Sequence, residues 1–71
     1  MQELAALQPT PGPVLAAERQ RLGISQAAVA RQMGLHRTRL HVWEKAAEVA
    51  PVKAARYIRA LREIVEMEGA A

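Results

Sequence analysis

QAAVARQMGLHRTRLHVWE, residues 26–44, is the stretch that decides how this chain folds. Its apolar residues recur at helical spacing: Val29, Ala30 and Met33 before Gly34, then Leu40 and Trp43 after it. Ser25, just upstream, is a good N-cap for a first helix expected to end at Met33. Gly34 then breaks the pattern, supplying a positive φ that a residue with a Cβ adopts only at a cost. A second helix is expected from about His36 to Lys45. Ala30 has to be small where that helix crosses the first, and Val29, Leu40 and Trp43 fill the angle between them. Two short helices joined by a tight turn are the centre of the fold.

Working outward, Thr10-Pro11-Gly12-Pro13 punctuates the N-terminal side. Thr10 is expected to cap a helix with Pro11 in its first turn, where a missing N–H costs nothing. That helix should run to Leu22, with Val14, Leu15 and Leu22 facing inward, and Gly23 ends it in the usual place for a left-handed cap. Residues 1–10 form either a loose arm or a short helix through Leu4 and Leu7. On the C-terminal side Pro51 opens a helix with no breaker before Gly69. Its residues Val52, Ala55, Ile58, Leu61, Ile64 and Val65 keep a three-and-four rhythm and are expected to face the core. The fold expected is all-α, four to five short helices in a single domain over 1–71, with 62–71 as a C-terminal extension.

Composition agrees. A chain of 71 residues holds one domain and buries only about 60% of its unfolded surface, so its stability is marginal. No cysteine is present to add a disulfide or a thiolate metal site. The 51% hydrophobic content is largely alanine, with no Phe, one Trp and one Tyr, which suits close helix packing rather than a sheet. The start lacks a basic segment followed by an apolar run, and no stretch of about 18 apolar residues occurs. A cytoplasmic protein with no membrane partner is expected. All ten Lys and Arg lie between Arg19 and Arg62, where Glu44 and Glu48 are the only acids. Glu3, Glu18, Glu63, Glu66 and Glu68 occupy the flanks. A basic middle between acidic ends suits a polyanion.

With these residues in view, the segment resembles the phage repressor and Cro type of helix-turn-helix, the XRE family of bacterial regulators. Ser25, Gln26, Ala30, Gly34, Leu40 and Glu44 match its ordered pattern, and Arg19, Leu22 and Gly23 resemble the Arg-x-x-Leu-Gly ending of its first helix. Pro51 sits where the family often starts its fourth helix, and the likeness covers roughly residues 13–62. The resemblance implies a lambda-repressor-like domain binding double-stranded DNA, with helix 36–45 in the major groove. It implies an ion pair between Arg19 and Glu44, and it makes Arg19, Ala30, Gly34, Leu40, Trp43 and Glu44 structural. The family's base-reading positions fall on Arg37, Thr38 and Val42, with His41 close by. Arg37 suits guanine O6 and N7, and Thr38 or Val42 a thymine methyl. Phosphate contacts are expected from Gln26 at a helix N-terminus and from Arg39, with Lys45, Lys53 and Arg56 as further candidates. His36 departs from the pattern, standing at a cap where Ser or Thr is more usual, so either a looser turn or a different reading of DNA is expected there.

Other chemistries find little support. His36 and His41, five apart, fall about 140° apart around a helix, without a third ligand. Ser25 reads as a cap rather than a nucleophile, and there is no Gly-rich phosphate loop. No cofactor, metal or enzymatic activity is expected. The alternative is a protein-interaction module, such as an antitoxin or adaptor, acting through helix 51–68. Ile64, Val65 and Met67 have no evident cover in the monomer and are expected to form a homodimer interface. A dimer would read a palindromic operator with half-sites about 34–36 Å apart. It would act as a repressor, nucleoid-associated when bound to DNA.

Overall fold

A computed structural model describes residues 8–70, and the expected helix or arm through Leu4 and Leu7 lies outside the described residues. Four helices follow one another: α1 (Gly12–Arg21), α2 (Gln26–Met33), α3 (Arg37–Lys45) and α4 (Pro51–Ala70). Among the described residues there is no strand, only a bridge between Thr10 and Val49. The all-α reading holds.

Local chemistry sets the ends of α2 and α3. Ser25 accepts a hydrogen bond from the Ala28 N–H at 3.1 Å, as an N-cap should. Gly34 closes α2 at φ 69°, in the left-handed region, and Gly23 does the same after α1 at φ 72°. His36 caps α3 with its ring: Nδ1 accepts the Thr38 N–H at 3.2 Å. An imidazole nitrogen thus serves as cap acceptor where a hydroxyl usually does, so the departure at His36 does not leave α3 uncapped.

The start of α1 differs from expectation. Pro11, not Thr10, occupies the N-cap, and no side chain caps the helix. Thr10 is instead extended and exchanges two backbone hydrogen bonds with Val49, at 3.0 and 2.7 Å. The Gly12 N–H donates to the Ala46 carbonyl at 2.8 Å, so the opening of α1 is pinned to the end of α3. Only Leu15 of the proposed inner face is buried; Val14 is 55% exposed and Leu22 lies at the surface. A ten-residue helix seated on α3 and α4 hides a narrow stripe, and Arg19 takes the inner position one turn after Leu15.

The core gathers Leu15, Ile24, Val29, Leu40, Trp43 and Val49 with residues of α4. Of the inward set expected on α4, Leu61 and Ile64 are buried, while Val52 is 73% exposed and Ala55, Ile58 and Val65 also face out. The buried face is Ala54, Tyr57, Ala60, Leu61 and Ile64. Small alanines let α4 lie close to α2 and α1, and the large ring of Tyr57 fills the centre. Ile64 is therefore already covered within one chain, contrary to its expected place on an uncovered stripe; Val65 and Met67 remain exposed. The helix also continues through Gly69 to Ala70.

Candidate nucleic-acid interface

The interface is built on a buried hub. Glu44 ends α3's inner face and is only 5% exposed, and Arg19 of α1 is 9% exposed beside it. Arg19 grips the carboxylate with two prongs, Nε to Oε2 at 2.8 Å and Nη2 to Oε1 at 3.1 Å. Its remaining nitrogen, Nη1, donates to the Ile24 carbonyl at 2.9 Å, tying in the turn after α1. The pair expected between Arg19 and Glu44 is present. Two further donors reach the same carboxylate: Gln26 Nε2 at 2.8 Å and the Tyr57 hydroxyl. All four helices thus meet at one side chain.

Its electrostatics follow from this geometry. Burial pushes the Glu44 carboxyl upward, but hydrogen bonds from Arg19, Tyr57 and Gln26 outweigh it and hold the group below its ordinary value. Hydrogen bonding to Glu44 strengthens the proton on Arg19 against its own burial. Burial, then the neighbouring carboxylate, pushes the Tyr57 phenol well above its ordinary range. A buried ion pair contributes little net stability, since desolvation offsets attraction, yet leaving one partner alone is costly. The hub's effect is to fix how α3 sits.

That placement divides α3 in two. Leu40, Trp43 and Glu44 are buried, while Arg37, Thr38, Arg39, His41 and Val42 are exposed on the other side. Arg37, Thr38 and His41 border a hollow of about 390 Å³ together with Gln26 of α2. Val42, 61% exposed, lies outside it, bordering a second hollow with Arg39 and Lys53. The four residues expected to read bases therefore share one face but not one depression. Lys45 is exposed, and the Lys53 ammonium stands 5.5 Å from the centre of the Trp43 ring. Arg56 reaches back to the Met33 carbonyl at 3.5 Å, against the end of α2.

One residue of the hub went unread in the sequence, and the orientation of another. Tyr57 is the chain's single tyrosine, and with Leu61 and Ile64 it has the four-and-seven spacing of one helix face, a signal that could have found it. Gln26 was expected at a phosphate, yet its amide nitrogen faces Glu44 and the His41 ring. Nothing in the sequence gives that orientation.

Among the described residues no helix is long and apolar enough to cross a membrane. A family model described as helix-turn-helix matches residues 15–64. No curated protein and no solved structure matched the chain. With the capped α2, the left-handed turn at Gly34 and the half-exposed α3 inside the matched span, the chain belongs to the helix-turn-helix family of DNA-binding regulators, in its XRE and Cro-like form.

Proposed function

We propose that this protein is a sequence-specific transcriptional regulator, acting as a repressor, that binds a palindromic DNA operator as a homodimer with α3 in the major groove. The observation that carries the reading is the split of α3: one side is locked to the core through Glu44, and the other presents Arg37, Thr38, His41 and Val42 to solvent. A helix held rigidly with its polar side exposed is what base reading needs. Arg37 would read a guanine edge, and Thr38 and Val42 thymine methyl groups. Arg39, Lys45 and Lys53 would hold phosphates, and so would the N-terminus of α2 through its backbone N–H groups at Gln26.

One such module covers about 600–1,000 Å² of protein surface on DNA, which gives weak binding alone. Two copies joined through the exposed Val65 and Met67 would double the contact. The same two residues also favour the second reading, a protein partner docking on α4. Selection of bound sequences from random duplex DNA at two salt concentrations separates them. An enriched palindrome with steep salt dependence supports the regulator. Binding indifferent to sequence transfers the function to α4.

A further inference from the structure

Gln26, the first residue of α2, and His41, in the middle of α3, meet across the corner between the helices. Gln26 Nε2 lies 2.8 Å from Glu44 Oε1 and 3.3 Å from His41 Nδ1. An ionised carboxylate only accepts hydrogen bonds, so the Gln26 atom facing it has to be the NH2 group. Turned over, the amide would set its carbonyl oxygen against a carboxylate oxygen with no proton between them, in a half-buried place where that repulsion is poorly screened. The amide's orientation is thereby decided, and its second hydrogen serves His41 Nδ1. A neutral imidazole carries one proton, and with Nδ1 accepting, that proton is on Nε2. Among the described residues Nε2 makes no hydrogen bond. Arg37 and His41 are four residues apart, so they lie one turn from each other on the same side of α3, and both border the hollow with Thr38.

We propose that His41 is a specificity-determining residue: Gln26, itself oriented by Glu44, holds the imidazole so that Nε2–H is presented to the major groove as a fixed donor, which together with Arg37 selects guanine. The inference rests on the DNA-binding reading above. Guanine offers two acceptors at that edge, O6 and N7, whereas adenine sets an amino group beside its N7, thymine a methyl group beside its single O4, and cytosine offers an amino group alone. A donor that cannot become an acceptor without breaking the Gln26 contact is refused by cytosine outright, and beside the two-pronged donor of Arg37 it is best met by guanine, which alone presents two acceptors and no amino group. Two donors one turn apart match neighbouring guanines.

Two measurements test this. In nitrogen-15 NMR of the free protein at neutral pH, His41 should carry its proton on Nε2. Its Nδ1 signal should move in Gln26→Ala, while that of His36, which accepts from the Thr38 backbone, stays in place. A proton on Nδ1, or a His41 ring indifferent to Gln26→Ala, would overturn the proposal. In the second, guanines of the selected operator are replaced one at a time by 7-deazaguanine, which lacks the N7 acceptor. One replacement should weaken wild-type binding about tenfold and His41→Ala not at all, while Arg37→Ala stays sensitive to it. An operator in which His41→Ala masks no guanine overturns this inference alone. Failure to select any operator overturns the DNA-binding reading and this inference with it, and the NMR result then stands only as a description of the side chains.

Discussion

Tyr57, in the middle of α4, donates its hydroxyl to Glu44, the carboxylate that closes the inner face of α3. The last helix is thus joined to α3 by a charge-assisted hydrogen bond as well as by packing. Arg19 and Gln26 bring α1 and α2 to the same carboxylate. The energetic consequence is unequal: the carboxylate loses one hydrogen bond when Tyr57 or Gln26 is removed and two when Arg19 is, but removing Glu44 leaves all three donors without their acceptor.

Glu44→Ala is therefore expected to be the most damaging of these changes. It strands a buried guanidinium, a loss of about 3–5 kcal/mol. Tyr57→Phe removes one hydrogen bond to a charged group and should lose about 1.5–3 kcal/mol. Urea denaturation followed by the fluorescence of Trp43 measures both. A Glu44→Ala protein with an unchanged melting temperature and weakened DNA binding would place Glu44 at the DNA instead.

Stability should fall at both ends of the pH scale, for different reasons. The folded Glu44 carboxyl titrates below its ordinary value of 4.5. Its contribution is complete above that value and is lost as pH falls through the depressed one. The folded Tyr57 phenol titrates above its ordinary value of 10.0, so its contribution is complete below that pH and is lost as pH rises beyond it. Because Tyr57 is the only tyrosine, an ultraviolet absorbance titration reports it directly. Its ionisation should be delayed and coincide with unfolding, and Glu44→Gln should weaken the acid dependence. A tyrosine titrating near 10.0 in the folded protein contradicts the hub.

Gly12→Ala should destabilise the fold by about 1–3 kcal/mol, the usual range for overpacking. A Cβ there would stand 2.8 Å from the Glu44 carbonyl oxygen and nearer still to that of Trp43, both backbone atoms that cannot swing aside. Thermal melting decides the matter. An unchanged midpoint would mean that α1 can move off the end of α3.

Arg37→Ala should reduce affinity for the selected operator by about 1–3 kcal/mol and relax preference at one base pair, without changing the melting temperature. Binding assays on the operator and on single-base variants check it. A uniform loss on every sequence would reassign Arg37 to the phosphate backbone.

The corner of α2 and α3 was legible because its signals are local. Ser25, Ala30 and Gly34 each act within a few residues of their own position, and the Arg19–Glu44 pair followed from the family likeness. The face of α4 was not. Val52 and Ile58 attract notice by their hydrophobicity, but what α4 hides is set by how closely it approaches α2, and alanine permits the closer approach. Tyr57 went unread for a related reason: a buried phenol is acceptable only beside an acceptor, and that acceptor is thirteen residues away on another helix. Thr10 gave a good capping signal, yet the three-dimensional fold offered it Val49 as a partner. The polarity of Gln26 and His41 is likewise a property of the assembled corner.

The split of α3 also bears on how such a module could change its target over generations. Arg37, Thr38 and Val42 make no side-chain hydrogen bond to the rest of the chain among the described residues, so each could be exchanged independently and preference could drift one base pair at a time. Position 41 is different. It is tied through Gln26 to the carboxylate that holds the fold, so if His41 reads a base as proposed, a new side chain there would have to satisfy an amide as well as that base. Among descendants of this protein, positions 26 and 41 should vary together, and combinatorial libraries that randomise both should yield more new specificities than libraries that randomise 41 alone.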